Sequence, residues 1–454
     1  MASKSIYICQ NCGYESIQWL GKCPSCKEFT TFSEELVQEK AKYIFSKSRS
    51  QNSAPNLISE IKSPNYQKLP THDVELNRVL DEGMVPGSII LLAGDPGIGK
   101  STLLLQLAIQ GSINTLYISG EESDNQIKLR SDRIGVKNNS CFILNETLLE
   151  NIFSYLKINK KNHQLIIIDS IQTLYSDQLS SPIGSVSQIR ECCSRLLQFA
   201  KYTNITIIII GHITKDGQIA GPKLLEHMVD VVLHFEGDKN FQYRILRSKK
   251  NRFGSIAEIG LYEMNARGLI SVKTSSKILL SENYKSLDGC SISCIMDGDR
   301  VFLVEVQALV SSAVYGVPQR TANGFNLKRL NMLLAVLEKK CGFKLGKKDV
   351  FLNIIGGITV TDPALDLSVV ASILSSSIDL PILQNSCFIG EVGLNGEIRP
   401  EQTIEKRILE VEKMGFKHVF ISSLNKLTKR YKSISIINLH TINDLRKKLF
   451  ESES

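Results

Sequence analysis

The stretch of sequence that decides the fold is Gly94-Asp95-Pro96-Gly97-Ile98-Gly99-Lys100-Ser101. It matches the pattern G-x-x-x-x-G-K-[ST], in which backbone amides of a loop surround phosphate groups. The residues before it, Ser88-Ile89-Ile90-Leu91-Leu92-Ala93, predict a buried strand. The residues after it, Leu103-Leu104-Leu105-Gln106-Leu107-Ala108, predict a helix whose N-terminal dipole faces the anion. A strand, a loop and a helix in this order predict a P-loop for nucleotide phosphates.

Each type of residue in this loop has a predicted task. The glycines let the backbone turn inward on the phosphates, and Lys100 neutralises the terminal phosphates. The hydroxyl of Ser101 is expected to ligate magnesium, with Thr102 beside it. ATP and Mg²⁺ are therefore the expected cofactors. The predicted nucleotide-binding residues are Gly94, Asp95, Pro96, Gly97, Ile98, Gly99, Lys100, Ser101 and Thr102.

Two further strands carry acidic residues at their carboxyl ends. Leu165-Ile166-Ile167-Ile168-Asp169-Ser170 places a carboxylate where it can hold a magnesium-bound water, so Asp169 is the predicted second magnesium residue. Thr115 to Glu122 places two glutamates beyond a neighbouring strand, and we favour Glu121 as the group that activates the attacking water. The alternative is that Glu121 and Glu122 only cap the next helix.

His212 follows the apolar run Ile205 to Ile210, in a polar turn that leaves the sheet on the ligand-binding edge. A histidine at this point can sense the γ-phosphate. A structural histidine that only makes hydrogen bonds is the alternative, and the strand position does not decide between them.

Cys9, Cys12, Cys23 and Cys26 form two CxxC pairs with ten residues between them. Two such pairs can place four thiolates at the corners of a tetrahedron, the geometry that Zn²⁺ accepts. A redox-active pair of CxxC motifs is the alternative, although no thioredoxin-like strand and helix surround them. The other cysteines lie in apolar surroundings, which favours reduced thiols over a disulfide framework.

The composition limits the class of protein. A chain of 454 residues predicts two or three domains. No apolar run approaches the roughly 18 to 20 residues of a membrane span, and the N-terminus has neither a signal sequence nor a transit pattern. We therefore expect a cytoplasmic protein with no membrane partner. The formal charge of +8 favours polyanion partners only weakly.

The pattern of the chain predicts four segments. Residues 1–32 hold the cysteines, and residues 33–66 are polar and indicate a linker. In residues 67–275 short apolar runs alternate with helical segments, which predicts a parallel α/β core. Residues 276–454 form a second mixed region, with a predicted strand at Val301–Val306 and predicted helices at Leu327–Glu338 and Thr403–Met414.

In its sequence motifs the chain resembles the bacterial RadA (Sms) DNA-repair ATPases, relatives of RecA, over essentially its whole length. The motifs that carry the resemblance occur in the family's order. They are the cysteine finger with Trp19-Leu20-Gly21-Lys22-Cys23-Pro24, the loop Gly94 to Thr102, the segment Tyr117 to Ser123, and Lys250-Asn251-Arg252-Phe253-Gly254. The resemblance implies a RecA-like P-loop ATPase core behind a four-cysteine zinc finger.

The resemblance also implies roles for individual residues. It places Glu121 at the water-activating glutamate of RecA and His212 at its γ-phosphate sensor. It makes Ile213 to Gly221 a candidate DNA-facing loop. Lys250 and Arg252 belong to an element implicated in DNA-dependent motor function, and either could reach a nucleotide across a subunit interface. A lysine and an arginine two apart on a strand share a face, and a solvated basic turn is the alternative.

The C-terminal region resembles the Lon-type protease fold, an α+β domain, through Asn353 to Gly357, Asp362 to Asp366 and Gly390 to Pro400. A Lon-type site needs a serine activated by a lysine, because a hydroxyl without a base is a poor nucleophile. Our match puts Ala364 at the serine position, so the domain is expected to be inactive as a protease. The lysine position falls near Glu405, with Lys406 adjacent.

The Lon-like domain is then expected to be a scaffold for assembly and DNA contact. Lys339, Lys340, Lys344, Lys347 and Lys348 form a lysine-rich stretch that could bind phosphates, although an ordinary solvated surface is an equal alternative.

The expected function is a DNA-dependent ATPase of recombinational repair. The resemblance implies a ring, expected to be a hexamer, that moves on single-stranded DNA and promotes branch migration, with branched DNA and a RecA-type recombinase as partners. A non-translocating ATPase that loads or regulates recombinase is the main alternative. An ATP-dependent protease is disfavoured by Ala364.

Overall fold

The computed structural model divides into two compact units, Met1–Val272 and Lys273–Ser454. Cys12, Cys26, most of the predicted linker and the predicted loop Ile213 to Gly221 lie outside the described residues. The described residues are 4–9, 14–25, 27–37, 57, 59, 67–136, 140–159, 162–212, 223–237, 243–272, 287–313, 316–355 and 359–450.

A small antiparallel sheet forms near the N-terminus. Its strands lie in the order β2-β1-β3, and β1 pairs with β3 from Lys4 opposite Val37 to Cys9 opposite Phe32. The apolar cluster beside it is very small, with Cys9, Cys23 and Phe32 as its buried members. The strands are β1 (Lys4–Cys9), β2 (Glu15–Ser16) and β3 (Phe32–Val37).

A nine-stranded sheet forms the centre of the first unit, in the order β12-β11-β10-β9-β4-β8-β7-β5-β6. The strands from β9 to β6 in this order are parallel to one another. Their short apolar runs are buried on both faces, which is why they lack an alternating pattern. The strands are β4 (Ile89–Gly94), β5 (Thr115–Ser119), β6 (Cys141–Asn145), β7 (Leu165–Asp169), β8 (Thr206–His212), β9 (Val231–Glu236), β10 (Tyr243–Asn251), β11 (Ile259–Asn265) and β12 (Gly268–Ser271).

The predicted parallel core is present, and β10, β11 and β12 extend the sheet beyond β9 as antiparallel neighbours. The cause is the length of the connections. Parallel neighbours need a crossover of a dozen or more residues, whereas β11 and β12 are joined by a turn of two residues, Ala266 and Arg267.

Helices cover both faces of this sheet. Leu104 and Ile127 belong to the apolar cluster on one face, and Phe153 and Phe199 belong to the cluster on the other. This is the layered arrangement of a doubly wound α/β domain. The helices are α1 (Val74–Val79), α2 (Lys100–Gln110), α3 (Asp124–Ile134), α4 (Leu149–Asn159), α5 (Val186–Thr203) and α6 (Lys223–Met228).

The second unit is built on a mixed sheet of seven strands in the order β15-β16-β14-β13-β17-β20-β21, with β18 and β19 as a separate pair. The predicted helices at Leu327–Glu338 and Thr403–Met414 are present as α7 and α9. The elements are β13 (Cys290–Asp297), β14 (Arg300–Ser312), β15 (Arg320–Asn323), α7 (Leu327–Cys341), β16 (Lys348–Ile354), α8 (Asp366–Ile378), β17 (Ser386–Phe388), β18 (Glu391–Val392), β19 (Ile398–Arg399), α9 (Ile404–Lys413), β20 (His418–Ser422), β21 (Ser435–Leu439) and α10 (Ile442–Phe450).

Among the described helices, none combines the length and the apolar character that crossing a membrane requires.

Candidate nucleotide site

The predicted phosphate loop connects β4 to α2 at the carboxyl edge of the sheet. Gly97 has a φ of 78° and Gly99 a φ of 116°, in the left-handed region that favours glycine. At Gly94 a Cβ atom would lie 2.4 Å from the carbonyl oxygen of Phe235, so a side chain has no room there. Arg244 on β10 donates from Nε to the carbonyl oxygen of Ile98 at 3.2 Å. The loop is therefore held by a side chain from β10, two strands away from β4, and opens at the N-terminus of α2.

Lys100 is the first residue of α2 and is only 4% exposed. Its Nζ donates to the carbonyl oxygens of Gly94, at 2.8 Å, and Asp95, at 2.9 Å. Burial lowers the pKa of Lys100 to about 8, an effect that the carboxylates of Asp169, Asp95 and Glu121 partly offset. The ammonium group is thus desolvated and turned toward the loop, where an anionic phosphate would be a strong partner.

Asp169 is the last residue of β7 and is 3% exposed. Its Oδ2 accepts a hydrogen bond of 2.6 Å from the hydroxyl of Tyr117. Burial, and to a smaller extent the negative charge of Asp169, raises the pKa of Tyr117 well above its usual value. The hydroxyl therefore keeps its proton and remains a hydrogen-bond donor. Within the described part of the chain, the buried Oδ1 of Asp169 has no hydrogen-bond partner. An unsatisfied carboxylate oxygen whose charge acts on Lys100 of the phosphate loop suits a hydrated magnesium ion, which prefers oxygen ligands.

The two glutamates after β5 face different partners. Glu121 accepts a hydrogen bond from the hydroxyl of Ser170, the residue that follows Asp169. Glu122 forms an ion pair with Arg130 on α3, and its backbone amide donates to Ser119 Oγ at 3.0 Å. Of the two carboxylates, Glu121 is therefore the one directed toward the end of β7, beside Asp169.

The capping alternative for these glutamates has little support in the geometry of α3. The residue before the helix is Ser123, and its backbone amide donates to Oε1 of Gln126 at 2.9 Å. This is the reciprocal half of a capping box. The start of α3 is satisfied by Ser123 and Gln126.

His212 is the last residue of β8 and pairs in register with Gly94 on β4. Its backbone therefore lies next to the phosphate loop. The position of its imidazole and the predicted DNA-facing loop Ile213 to Gly221 lie outside the described residues.

Lys250 lies on β10 and Arg252 directly follows that strand; burial, and after it the nearby charge of Arg252, lower the pKa of Lys250. The strand β10 ends at Asn251, and an irregularity between Ser248 and Lys250 shifts the pairing with β9. The Nζ of Lys250 donates to the carbonyl oxygens of Glu226, His227 and Val229, at 2.7, 3.2 and 2.7 Å, at the end of α6.

Arg252 lies one residue beyond the strand and keeps 53% of its side chain exposed. Its Nη1 lies 3.8 Å from Oδ1 of Asp230. Lys250 thus stabilises the C-terminus of α6 within its own subunit, and Arg252 is the better placed of the two to contact another molecule.

Two of the predicted zinc ligands, Cys9 and Cys23, are fully buried, each with 0% exposure. Cys12 and Cys26 lie outside the described residues. Cys9 ends β1, and Cys23 lies in a turn where its amide donates to the carbonyl of Glu28 at 2.9 Å. So small a buried cluster is typical of domains that need a metal or disulfides for stability.

The position matched to the Lon-type serine is Ala364, whose side chain has no nucleophilic group. Ala364 is fully buried in a short 3₁₀ turn. At the matched lysine position, near Glu405 and Lys406, there is no buried lysine. Lys406 is 61% exposed beside Asp299, and Glu405 accepts from Thr428. The buried cationic side chain next to this position is Arg407.

Arg407 and Ala364 are linked through one carboxylate. Nη1 of Arg407 lies 2.7 Å from Oδ2 of Asp362, and Oδ1 of Asp362 accepts from the amide of Ala364 at 3.0 Å. A guanidinium group is protonated at any physiological pH and cannot act as a base. At the matched positions, the described residues therefore supply neither the nucleophile nor the base of a serine–lysine pair.

Three family models match separate parts of the chain. Residues 7–34 match a rubredoxin metal binding domain, residues 67–218 an AAA domain, and residues 307–425 the subunit ChlI of Mg-chelatase. A solved structure, the KaiC-like protein PH0186 from Pyrococcus horikoshii OT3, is 18% identical, covers 46% of this chain and 99% of its own, and has a TM-score of 0.38. With the sheet and phosphate loop described above, the chain is a RecA-like P-loop ATPase carrying an N-terminal zinc ribbon and a C-terminal Lon-like domain.

Curated relatives define the family more closely. The DNA repair protein RadA of Bacillus subtilis (strain 168) is 48% identical over 429 residues, 93% of each chain. Its counterpart in Listeria monocytogenes is 44% identical over 446 residues, 97% of each chain. That of Rickettsia felis is 46% identical over 428 residues, 94% of this chain and 95% of its own. The chain belongs to the RadA family of DNA repair proteins, as the resemblance predicted.

Proposed function

We propose that this chain is a DNA-dependent ATPase motor of recombinational repair, which assembles as a ring, expected to be a hexamer, on single-stranded DNA and promotes branch migration. The observation that carries the proposal is the constellation of Lys100, Asp169 and Glu121 around one phosphate loop, in a chain whose relatives are DNA repair proteins. Branched DNA and a RecA-type recombinase are the proposed partners.

In this proposal each residue of the site has a separate task. Lys100 leaves the loop carbonyls and neutralises the terminal phosphates of ATP. Asp169 and Ser101 hold magnesium, which when bound neutralises charge on the phosphate oxygens. Glu121 orients and deprotonates the attacking water, a task for which its position beside Ser170 and Asp169 is suited.

A ring places the exposed Arg252 of one subunit at the nucleotide of its neighbour. A guanidinium group supplied from outside a site stabilises the charge that develops during phosphoryl transfer. His212 would report the presence of the γ-phosphate to the loop that follows it. The proposal therefore couples hydrolysis to subunit contacts and to DNA.

The lysine-rich stretch of the second unit supports a DNA contact there. Lys339 and Lys340 end α7 and are exposed, as are Lys344 and Lys347, and Lys348 is half-buried at the start of β16. Phosphate contacts by such side chains release counterions, so DNA affinity is expected to fall steeply with salt. A flat salt response would contradict direct DNA binding.

Strand displacement tests the motor directly. The purified chain is incubated with a branched DNA substrate with ATP, without nucleotide and with a non-hydrolysable analogue. Displacement only with ATP supports a motor. Hydrolysis of ATP on DNA without any displacement would instead support the non-translocating alternative, an ATPase that loads or regulates recombinase.

Arg252→Ala is expected to remove most of the DNA-stimulated increment in ATP turnover while changing the free energy of unfolding by no more than about 0.5 kcal/mol, because the side chain is exposed. Lys250→Ala is the contrasting variant. It removes the donor to three carbonyls at and just after the end of α6, so the free energy of unfolding should fall by about 1 to 2 kcal/mol. Chemical denaturation and an ATPase assay with and without single-stranded DNA provide the two measurements. Full DNA stimulation in Arg252→Ala would exclude its proposed role.

Zinc content tests the cysteine site. We expect about one zinc ion per chain, measured by mass spectrometry of the digested protein, and near-complete loss of that zinc in Cys23→Ser. Cys192→Ser is the matched control, because Cys192 is also fully buried but lies in α5. Unchanged zinc in Cys23→Ser, or equal loss in both variants, would refute the assignment.

A further inference from the structure

Tyr117 is a buried tyrosine whose hydroxyl is directed at the carboxylate of Asp169. It is 1% exposed, and its hydroxyl donates to Oδ2 of Asp169 at 2.6 Å. The phosphate-loop and magnesium assignments do not include it. A tyrosine needed only to fill the core could be a phenylalanine, so the presence and direction of this hydroxyl need an explanation.

The sheet fixes the contact geometrically. The strands β5 and β7 are parallel neighbours, with Tyr117 opposite Ile167 and Ser119 opposite Asp169. Side chains alternate along a strand, so Tyr117 and Asp169 lie on the same face, displaced by two residues. A tyrosine is long enough to span this diagonal. The donor is therefore supplied by the rigid centre of the sheet.

The hydrogen bond from Tyr117 makes the two oxygens of the Asp169 carboxylate different from each other. Oδ2 is held by Tyr117, and the buried Oδ1 has no hydrogen-bond partner among the described residues. A carboxylate held at one oxygen cannot rotate freely, so Oδ1 keeps one direction. Outer-shell partners of this kind orient metal-binding carboxylates and change metal affinity.

We propose that Tyr117 is a positioning residue, whose hydroxyl holds Oδ2 of Asp169 and thereby directs Oδ1 at the magnesium ion and its bound water. This inference rests on the proposed ATPase site. It adds to that site a residue that never touches the nucleotide and acts only through Asp169.

The test measures metal binding without turnover. Mn²⁺ replaces Mg²⁺, and its binding to the full chain saturated with ADP is followed by electron paramagnetic resonance. Tyr117→Phe is expected to weaken Mn²⁺ binding roughly tenfold. Its affinity for a fluorescent ADP analogue in the absence of metal should stay within about twofold of that of the native chain, because the hydroxyl does not face the nucleotide.

Tyr262→Phe is the matched control. Tyr262 is also 1% exposed, and its hydroxyl donates to a carboxylate, Oδ1 of Asp73, at 3.1 Å. Both variants lose a buried hydroxyl that binds a carboxylate, so both should lose stability, but only Tyr117→Phe should lose Mn²⁺ affinity. Equal Mn²⁺ affinity in the two variants would overturn the inference.

Asp169→Asn separates this inference from the proposed function. If Asp169→Asn does not weaken Mn²⁺ binding, the proposed metal site itself fails. If it does, the double variant Tyr117→Phe/Asp169→Asn should bind Mn²⁺ as Asp169→Asn alone does, because Tyr117 then has no carboxylate to position. A further loss in the double variant would overturn the inference.

Discussion

Lys100→Ala is expected to lower ATP turnover roughly 100- to 1,000-fold or more while the chain stays folded and keeps its zinc. Removing one preorganised group that stabilises charge in the transition state has an effect of this size. The side chain is buried but donates only to carbonyls of its own loop, so its loss removes no apolar contact of the core. The measurements are phosphate release at saturating ATP, circular dichroism and zinc content.

Lys128→Ala is the matched control for this variant. Lys128 lies on α3, is 67% exposed and pairs with Asp132 one turn away. Such a surface pair contributes little to stability, and its loss should leave turnover unchanged. Turnover in Lys100→Ala close to that of Lys128→Ala would show that this loop is not the site of hydrolysis. An unfolded Lys100→Ala chain would contradict the expectation that the lysine serves the phosphates and not the fold.

The parts of the fold that the sequence could predict depend on local signals. The apolar run at Ser88–Ala93 predicted a strand that the structure has at Ile89–Gly94, because a strand buried on both faces needs continuous apolar residues. The run ending at Asp169 likewise predicted both the strand β7 and the acid at its end. Hydrophobic patterns mark the strands and their ends without knowledge of the neighbours.

Contacts between strands carry no such local signal. The hydrogen bond from Tyr117 to Asp169 depends on β5 lying next to β7 in one register, and the bond from Arg244 to Ile98 joins residues 146 positions apart. The alternation of side chains along a strand places Tyr117 on the same face as Ser119. It does not reveal which strand lies next to β5. The sequence thus predicted the groups of the candidate site and not the residues that hold them.

Arg407 shows a signal that the sequence contained but that motif matching missed. Ile404, Arg407, Ile408 and Val411 are the buried residues of α9 and follow the spacing of one helix face. A single arginine on an apolar stripe indicates a buried ion pair, here with Asp362. A motif match without gaps cannot decide among adjacent positions, whereas helical periodicity excludes the exposed Lys406.

The second large effect is expected at Glu121. We expect Glu121→Gln to lower ATP turnover roughly 100- to 10,000-fold, the range for loss of a general base, while ATP binding is retained. A glutamine keeps the size of the side chain and can still bond to Ser170, so the change removes chiefly the basic oxygen. Single-turnover hydrolysis measures the chemical step, and a fluorescent ATP analogue measures binding.

Glu122→Gln provides the comparison, because the two residues are adjacent and carry the same side chain. Glu122 pairs with Arg130, and its loss should lower stability by no more than about 1 kcal/mol and leave turnover within a few-fold of that of the native chain. If Glu122→Gln instead abolished hydrolysis and Glu121→Gln did not, the roles would be reversed. The direction of a carboxylate, toward Ser170 or toward Arg130, would then be a poor guide to which of two adjacent acids activates water.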